Sequence, residues 1–289
     1  MSTTTTRTGP QTLDRGPGGR LARWGRYPLT WMVLGIVATG AVAGLTAQAE
    51  PVTVVPVLGA ALAVAVYWAV MRFVARRRTP EITARTAVPE ALLGAAIGTG
   101  FVAVSASVVA ALGGYTFRGV EVDVLEVVVP VLTVTLGAAV TEELVFRGLA
   151  LQALERLLGS WVALLITALF FGLAHFFNPG ATAWTALAVA IEAGGLLGAA
   201  FLWRRNLWFV VGLHFAWNTT VALLGLPVSG HAAPGLAVAD VSGPALLTGA
   251  DFGIEGSLVT VTLGVLLAAP MLVLARRRGR LVPMRRRRP

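Results

Sequence analysis

Apolar and polar positions along this chain fall into long blocks rather than the short alternations of a soluble domain. Uninterrupted apolar runs occupy 29–49, 52–74, 91–112, 124–158, 161–177, 184–203, 207–226 and 257–275. A helix needs about 20 such residues to cross a hydrocarbon core about 30 Å thick. Runs this long and continuous read as helices that satisfy their own backbone in lipid. The pattern therefore predicts an all-α, polytopic transmembrane helix bundle of about eight spans. The fourth run is too long for one upright span, because about 35 residues at about 1.5 Å each reach roughly 52 Å. It must tilt, protrude or break: Glu126 suggests that its start protrudes, and Gly148 is the expected break. Ala47, Gln48 and Ala49 resemble a signal-peptidase site, but the preceding run exceeds the usual h-region of about 7–15 residues, so an uncleaved first helix is expected. No internal repeat is visible.

The charges between the runs alternate by side. Arg72, Arg76, Arg77, Arg78 and Arg85 lie at and after the end of the second run, Arg156 at the end of the fourth, Arg204 and Arg205 after the sixth, and Arg276, Arg277, Arg278 and Arg280 after the eighth. The other connections carry Glu50, then Arg118 outweighed by Glu121 and Asp123, then no charge, then Asp240, Asp251 and Glu255. Every second connection is net basic, which predicts a multi-pass membrane protein with both termini cytoplasmic. Residues 1–27 are expected to form a disordered basic tail, 28–275 the transmembrane domain, 276–289 a second basic tail, and 227–256 a long outer loop.

Composition sharpens this picture. The chain is 56% hydrophobic and 13% charged, with a mean hydropathy of +0.77. A net charge of +9 would suggest nucleic-acid binding in a soluble protein. Here the arginines sit in tails and short connections, so they read as topology signals and as contacts with anionic lipids, and no nucleic-acid partner is expected. The absence of cysteine excludes disulfides, thiolate metal sites and a cysteine nucleophile.

Polar groups inside the apolar runs then stand out. One Asp, Lys or Arg at mid-membrane costs roughly 2.5–3.5 kcal/mol on insertion scales. In the stretch Thr-Glu-Glu-Leu-Val-Phe-Arg-Gly, Glu143 and Arg147 are four apart, acid first, the better order for an ion pair. Glu142 points about 100° away and lacks a partner on its own helix. It is either a carboxyl hydrogen-bonded to a neighbouring helix or a general base. His175 and His214 also lie within apolar runs, and Asn218 shares a helix face with His214. Each histidine alone is most simply a satisfied structural residue. Together, Glu142, His175, His214 and Asn218 on three helices are most simply satisfied by converging on one polar site. A carboxylate and an imidazole can hold and deprotonate water, while a second imidazole and an amide N–H can donate to an oxyanion. A metal held by Glu142, His175 and His214 is the lesser option, because the close His-Glu-x-x-His spacing of a zinc helix is missing. His231 is expected to be a solvated loop residue. Glu192, another intramembrane carboxylate, could line the same cavity, pair with an arginine such as Arg147, or stay protonated against a neighbouring helix.

These residues fit three motifs in order: Glu-Glu-x-x-x-Arg from Glu142, Phe-x-x-x-His from Phe171 to His175, and His-x-x-x-Asn from His214 to Asn218. In that order, on separate apolar runs, the chain resembles the CAAX protease and bacteriocin-processing family, also called CPBP or Abi, over roughly residues 89–226. The resemblance implies an intramembrane endopeptidase related to type 2 CAAX prenyl proteases, acting on a membrane-anchored, secreted or prenylated peptide substrate. Carried over by motif position, Glu142 activates water with help from His175, His214 and Asn218 stabilise the oxyanion, and Glu143 with Arg147 supports the site. The cofactor stays open, with none required as first choice and zinc as the alternative. The family favours a site open to the cytoplasm, and its distribution, with the compact length, implies the cell membrane. Two other functions compete: a non-catalytic membrane scaffold, and a proton-coupled transporter, for which the inverted repeats are missing.

Overall fold

The computed structural model describes residues 24–46 and 53–284. Residues 1–23 of the first basic tail, 285–289 of the second, the sequence Ala47–Gln48–Ala49 and Glu50 lie outside the described residues. Among the described residues eight long helices form one bundle. They are α1 (Pro28–Thr46), α2 (Val55–Ala69, prolonged by a π-helical turn Val70–Val74), α3 (Ala87–Ala111) and α4 (Val124–Glu143, prolonged by a π-helical stretch Leu144–Leu151 and by Gln152–Leu158). Then follow α5 (Ser160–His175), α6 (Ala183–Val189, π-helical Ala190–Gly195, then Leu196–Arg204), α7 (Leu207–Leu223) and α8 (Leu258–Arg277). Six of them are long and apolar enough to cross a membrane; α5 and α7 are apolar but shorter. The molecule is a polytopic all-α membrane protein.

Local chemistry sets the helix ends. The Asp123 carboxylate accepts from the Leu125 and Glu126 amides and starts α4, Asn206 does the same for α7, and Ser257 caps α8. Gly159, at φ +84°, turns the chain from α4 into α5, a conformation that favours glycine. The break expected at Gly148 does not occur. The helix runs on through a π-helical stretch, and Gly148 instead admits the Tyr67 ring, which a Cβ would meet at 2.8 Å.

Helix α7 is the axis of the bundle, buried along almost its whole length and packed on α3, α4 and α6. Its approach to α3 depends on small residues: a Cβ on Gly94 or Gly98 would strike the carbonyls of Phe209 or Leu213, and one on Gly212 would strike the carbonyl of Ala91.

The two ends of the bundle differ in character. At one, Arg77 donates to Gln152 at 3.1 Å, Arg205 pairs with Glu155 at 2.6 Å, Arg204 pairs with Glu90, and the Arg156 guanidinium lies over Trp31 at 5.5 Å. At the other end a small cap forms. Strand β1 (Tyr115–Gly119) pairs antiparallel with β2 (Ala237–Val241), and Arg118 meets Asp240 at 2.7 Å across the pair. The Tyr115 hydroxyl donates to the Thr248 carbonyl. The expected plain loop at 227–256 is thus a structured element. Its strand is short, and its partner lies 122 residues earlier, beyond what local periodicity can signal.

Candidate active site

The α4 sequence sends its two adjacent carboxylates in different directions. Glu143 is fully buried, whereas the Glu142 side chain is 31% exposed and lines a cavity of about 690 Å³. Glu143 Oε1 accepts from Arg147 Nη1 at 2.9 Å and lies 2.8 Å from His214 Nδ1, so the expected ion pair forms and also ties down the α7 imidazole. Arg147 Nη2 donates to the carbonyls of Ala193 at 2.9 Å and Gly194 at 3.2 Å, in the π-helical part of α6. One guanidinium thereby joins α4 to α6 and, through Glu143, to α7.

Both carboxylates flank His214: Nδ1 bonds Glu143, and Nε2 lies 4.0 Å from Glu142 Oε2. A carboxylate only accepts, so with Glu143 ionised Nδ1 is the donor, and Nε2 accepts in the neutral ring or donates in the imidazolium. His175, on the last turn of α5, has Nδ1 2.7 Å from the Phe171 carbonyl, which likewise makes Nδ1 the donor and leaves Nε2 as the acceptor of a neutral ring. Phe171 fixes the group from below. Its ring stacks on His175 at 4.7 Å, meets His214 edge-on at 6.2 Å, and carries the Arg147 guanidinium at 4.8 Å. Sequence singled out Phe171 only as a motif letter; its contacts show what a ring at that position does.

Glu142, His175, His214 and Asn218 line the one cavity, while Glu143 and Arg147 lie behind it. The depth mismatch that straight alternating spans would give His175 and His214 is absorbed because α5 is short and ends at His175 beside the cavity. Glu192 does not line the cavity and does not pair with Arg147. It is fully buried between α6 and α8, against Gly264, with neither carboxyl oxygen hydrogen-bonded.

Further polar groups that sequence reasoning passed over also reach the cavity, among them Asn178, His231 and Glu255. Asn178 follows α5 and donates to the Ser229 carbonyl at 2.9 Å. His231, expected as a plain solvated loop residue, is exposed but stands at the cavity mouth. Glu255, in the helical turn Ile254–Gly256 of the cap, is buried and accepts from the Ser229 amide at 2.6 Å. Burial pushes its carboxyl up to about 7, against the pull of the two Ser229 hydrogen bonds. In sequence, Glu255 registered only as one of several loop charges.

The set Glu142, His175 and His214 does not fit one metal ion as arranged. Zinc needs N and O ligands at about 2.0–2.2 Å, and among the described residues no three His, Asp or Glu side chains converge to hold an ion. What the group offers is acid–base chemistry: one open carboxylate, two imidazoles with defined donor sides, and an amide, all facing the same space.

Residues 124–220 match the family described as type II CAAX prenyl endopeptidase Rce1-like. No curated protein and no solved structure matches the chain. The matched segment runs from the start of α4 into α7 and contains Glu142, Glu143, Arg147, His175, His214 and Asn218. It relates the chain to the CAAX proteases, which are intramembrane proteases.

Proposed function

We propose that the protein is an intramembrane endopeptidase that hydrolyses a peptide bond of a membrane-associated protein or peptide, with Glu142 as the base that activates water. The observation that carries this reading is the division of labour between adjacent carboxylates: Glu143 is buried and held by Arg147 and His214, while Glu142 opens into a cavity shared with His175, His214 and Asn218. A structural pair would bury both.

In this proposal a water bonded to Glu142 and to Nε2 of His175 attacks the scissile carbonyl as Glu142 takes its proton. The carbonyl oxygen becomes an oxyanion, to which Asn218 and the imidazolium form of His214 donate. The proton held by Glu142 passes to the departing nitrogen as the C–N bond breaks, which restores the carboxylate. The Glu143–Arg147 pair keeps the His214 ring oriented. No step in this scheme is routed through a metal.

Mass spectrometry of products from the purified full chain, incubated with a mixed library of prenylated and unmodified peptides, tests the proposal. Glu142→Gln should lose cleavage by about 10²-fold or more, within the range for general-base removal, while keeping the thermal midpoint of the native protein. Undiminished cleavage by that variant overturns the assignment. The same assay with a chelator reads metal dependence directly, and the scheme expects cleavage to persist.

A further inference from the structure

The side from which the cavity is entered can be read by combining two independent features. The first is where the cavity opens. Its exposed lining consists of Glu126, at the start of α4, Val134, farther along the same helix, Ala174, next to the last residue of α5, and His231, Ala232, Ala233 and Pro234, in the chain that leads to β2. All but Val134 lie at the capped end, and Val134 is in the half of α4 nearer to it. Below the cavity floor, toward the arginine-rich end, the chain is closed by Leu149, Leu151, Phe201, Leu202, Leu207 and Phe209, each at most 1% exposed. The second feature is charge. Of the 15 arginines among the described residues, 13 lie at the end opposite the cap, where the acids are Glu81, Glu90 and Glu155. The cap end carries Arg118 against Glu121, Asp123, Glu126, Asp240, Asp251 and Glu255. Arginine in short connections stays on the cytoplasmic side during insertion, and this asymmetry is unambiguous in sign.

We infer that the cavity opens away from the cytoplasm and that its substrate is an extracytoplasmic peptide segment, secreted or anchored in the membrane from that side. A prenylated C-terminus presented from the cytoplasm would meet the closed, arginine-rich end. This reverses the cytoplasmic opening that the family resemblance suggested. The substrate class rests on the peptidase proposed above; the side of opening does not.

The absence of cysteine makes the test direct. Single-cysteine variants of the full chain are expressed in cells and treated with a membrane-impermeant maleimide, before and after permeabilisation. Ala232→Cys and Ala233→Cys report the cavity mouth, and Thr83→Cys and Met284→Cys report the opposite end, all four being exposed positions. Two positions per end keep the result readable if one variant fails to insert. The mouth positions should react in intact cells, and the other two only after permeabilisation. Mouth positions that react only after permeabilisation overturn the inference, as does labelling of both ends in intact cells. Failure of the peptidase reading shows separately, as cleavage that survives Glu142→Gln, and leaves the labelling pattern unchanged.

Discussion

Glu143 and Arg147 sit where either charge alone would cost several kcal/mol, and each is held by the other together with His214 and two α6 carbonyls. Removing one partner strands the other. Glu143→Gln or Arg147→Met should each destabilise by about 3–5 kcal/mol, whereas the double substitution should cost less than the sum of the two. Thermal midpoints of the three variants in detergent check this, and additive losses would contradict the pairing. Asn218, one turn beyond His214 on the cavity face, has a different expected effect. Asn218→Ala should lower kcat by about 10²–10³ with little change in KM, as for loss of an oxyanion donor, and a KM effect alone would point to substrate binding instead. At this scale the sequence was informative wherever cost made a residue conspicuous. Glu142, Glu143, Arg147, His175 and His214 are polar letters in apolar runs; Glu142, His175 and His214 line the cavity, and Glu143 and Arg147 lie behind it. Glu255 and Asn178 were hidden, because a polar residue in a connection carries no such cost and only tertiary folding brings it to the cavity.

Helix α7 transmits that geometry. Its position is fixed by the seam with α3, where Gly94 and Gly98 let backbone meet backbone, so the placement of His214 and Asn218 depends on residues that touch nothing in the cavity. Gly98→Ala places a methyl against the Leu213 carbonyl, next to His214, and the two helices must separate. Overpacking of this kind costs about 1–3 kcal/mol. A shift near 1 Å in a reacting group costs about 10²-fold in rate, so Gly98→Ala should lose cleavage out of proportion to its loss of thermal stability. Equal, small effects would show that the seam does not set the site. All eight helices were legible from apolar runs, including their order and approximate ends. The π-helical stretches at Leu144–Leu151 and Ala190–Gly195 were not, since they change winding without changing hydrophobicity. Both border the Arg147 bridge, and π segments frequently occur at functional sites. The β1–β2 pair escaped notice for the opposite reason, its strands being short and far apart in sequence.

Across the whole molecule, the cap converts a bundle of apolar helices into one with a closed basic end and an open acidic one. Where the cap meets the cavity stands Glu255, which lines it, accepts from Ser229, and is coupled electrostatically to both His214 and Glu142. The exposed Arg118–Asp240 pair on the outside of the cap contributes little to stability, whereas the buried Glu255 carboxyl makes the fold sensitive to pH. Burial holds it near 7, above its ordinary 4.5, so the folded protein binds a proton that the unfolded chain has released. The sign follows: the stability contributed by this proton is fully present below about 4.5 and is lost as pH rises through about 7. The thermal midpoint of the native protein should therefore fall by a few degrees between pH 5 and pH 8. Glu255→Gln, which keeps the shape of the side chain but cannot ionise, should flatten that part of the profile. If the variant instead shows the same decline as the native protein, the pH dependence arises elsewhere and the cap is not tied to the cavity through this carboxyl.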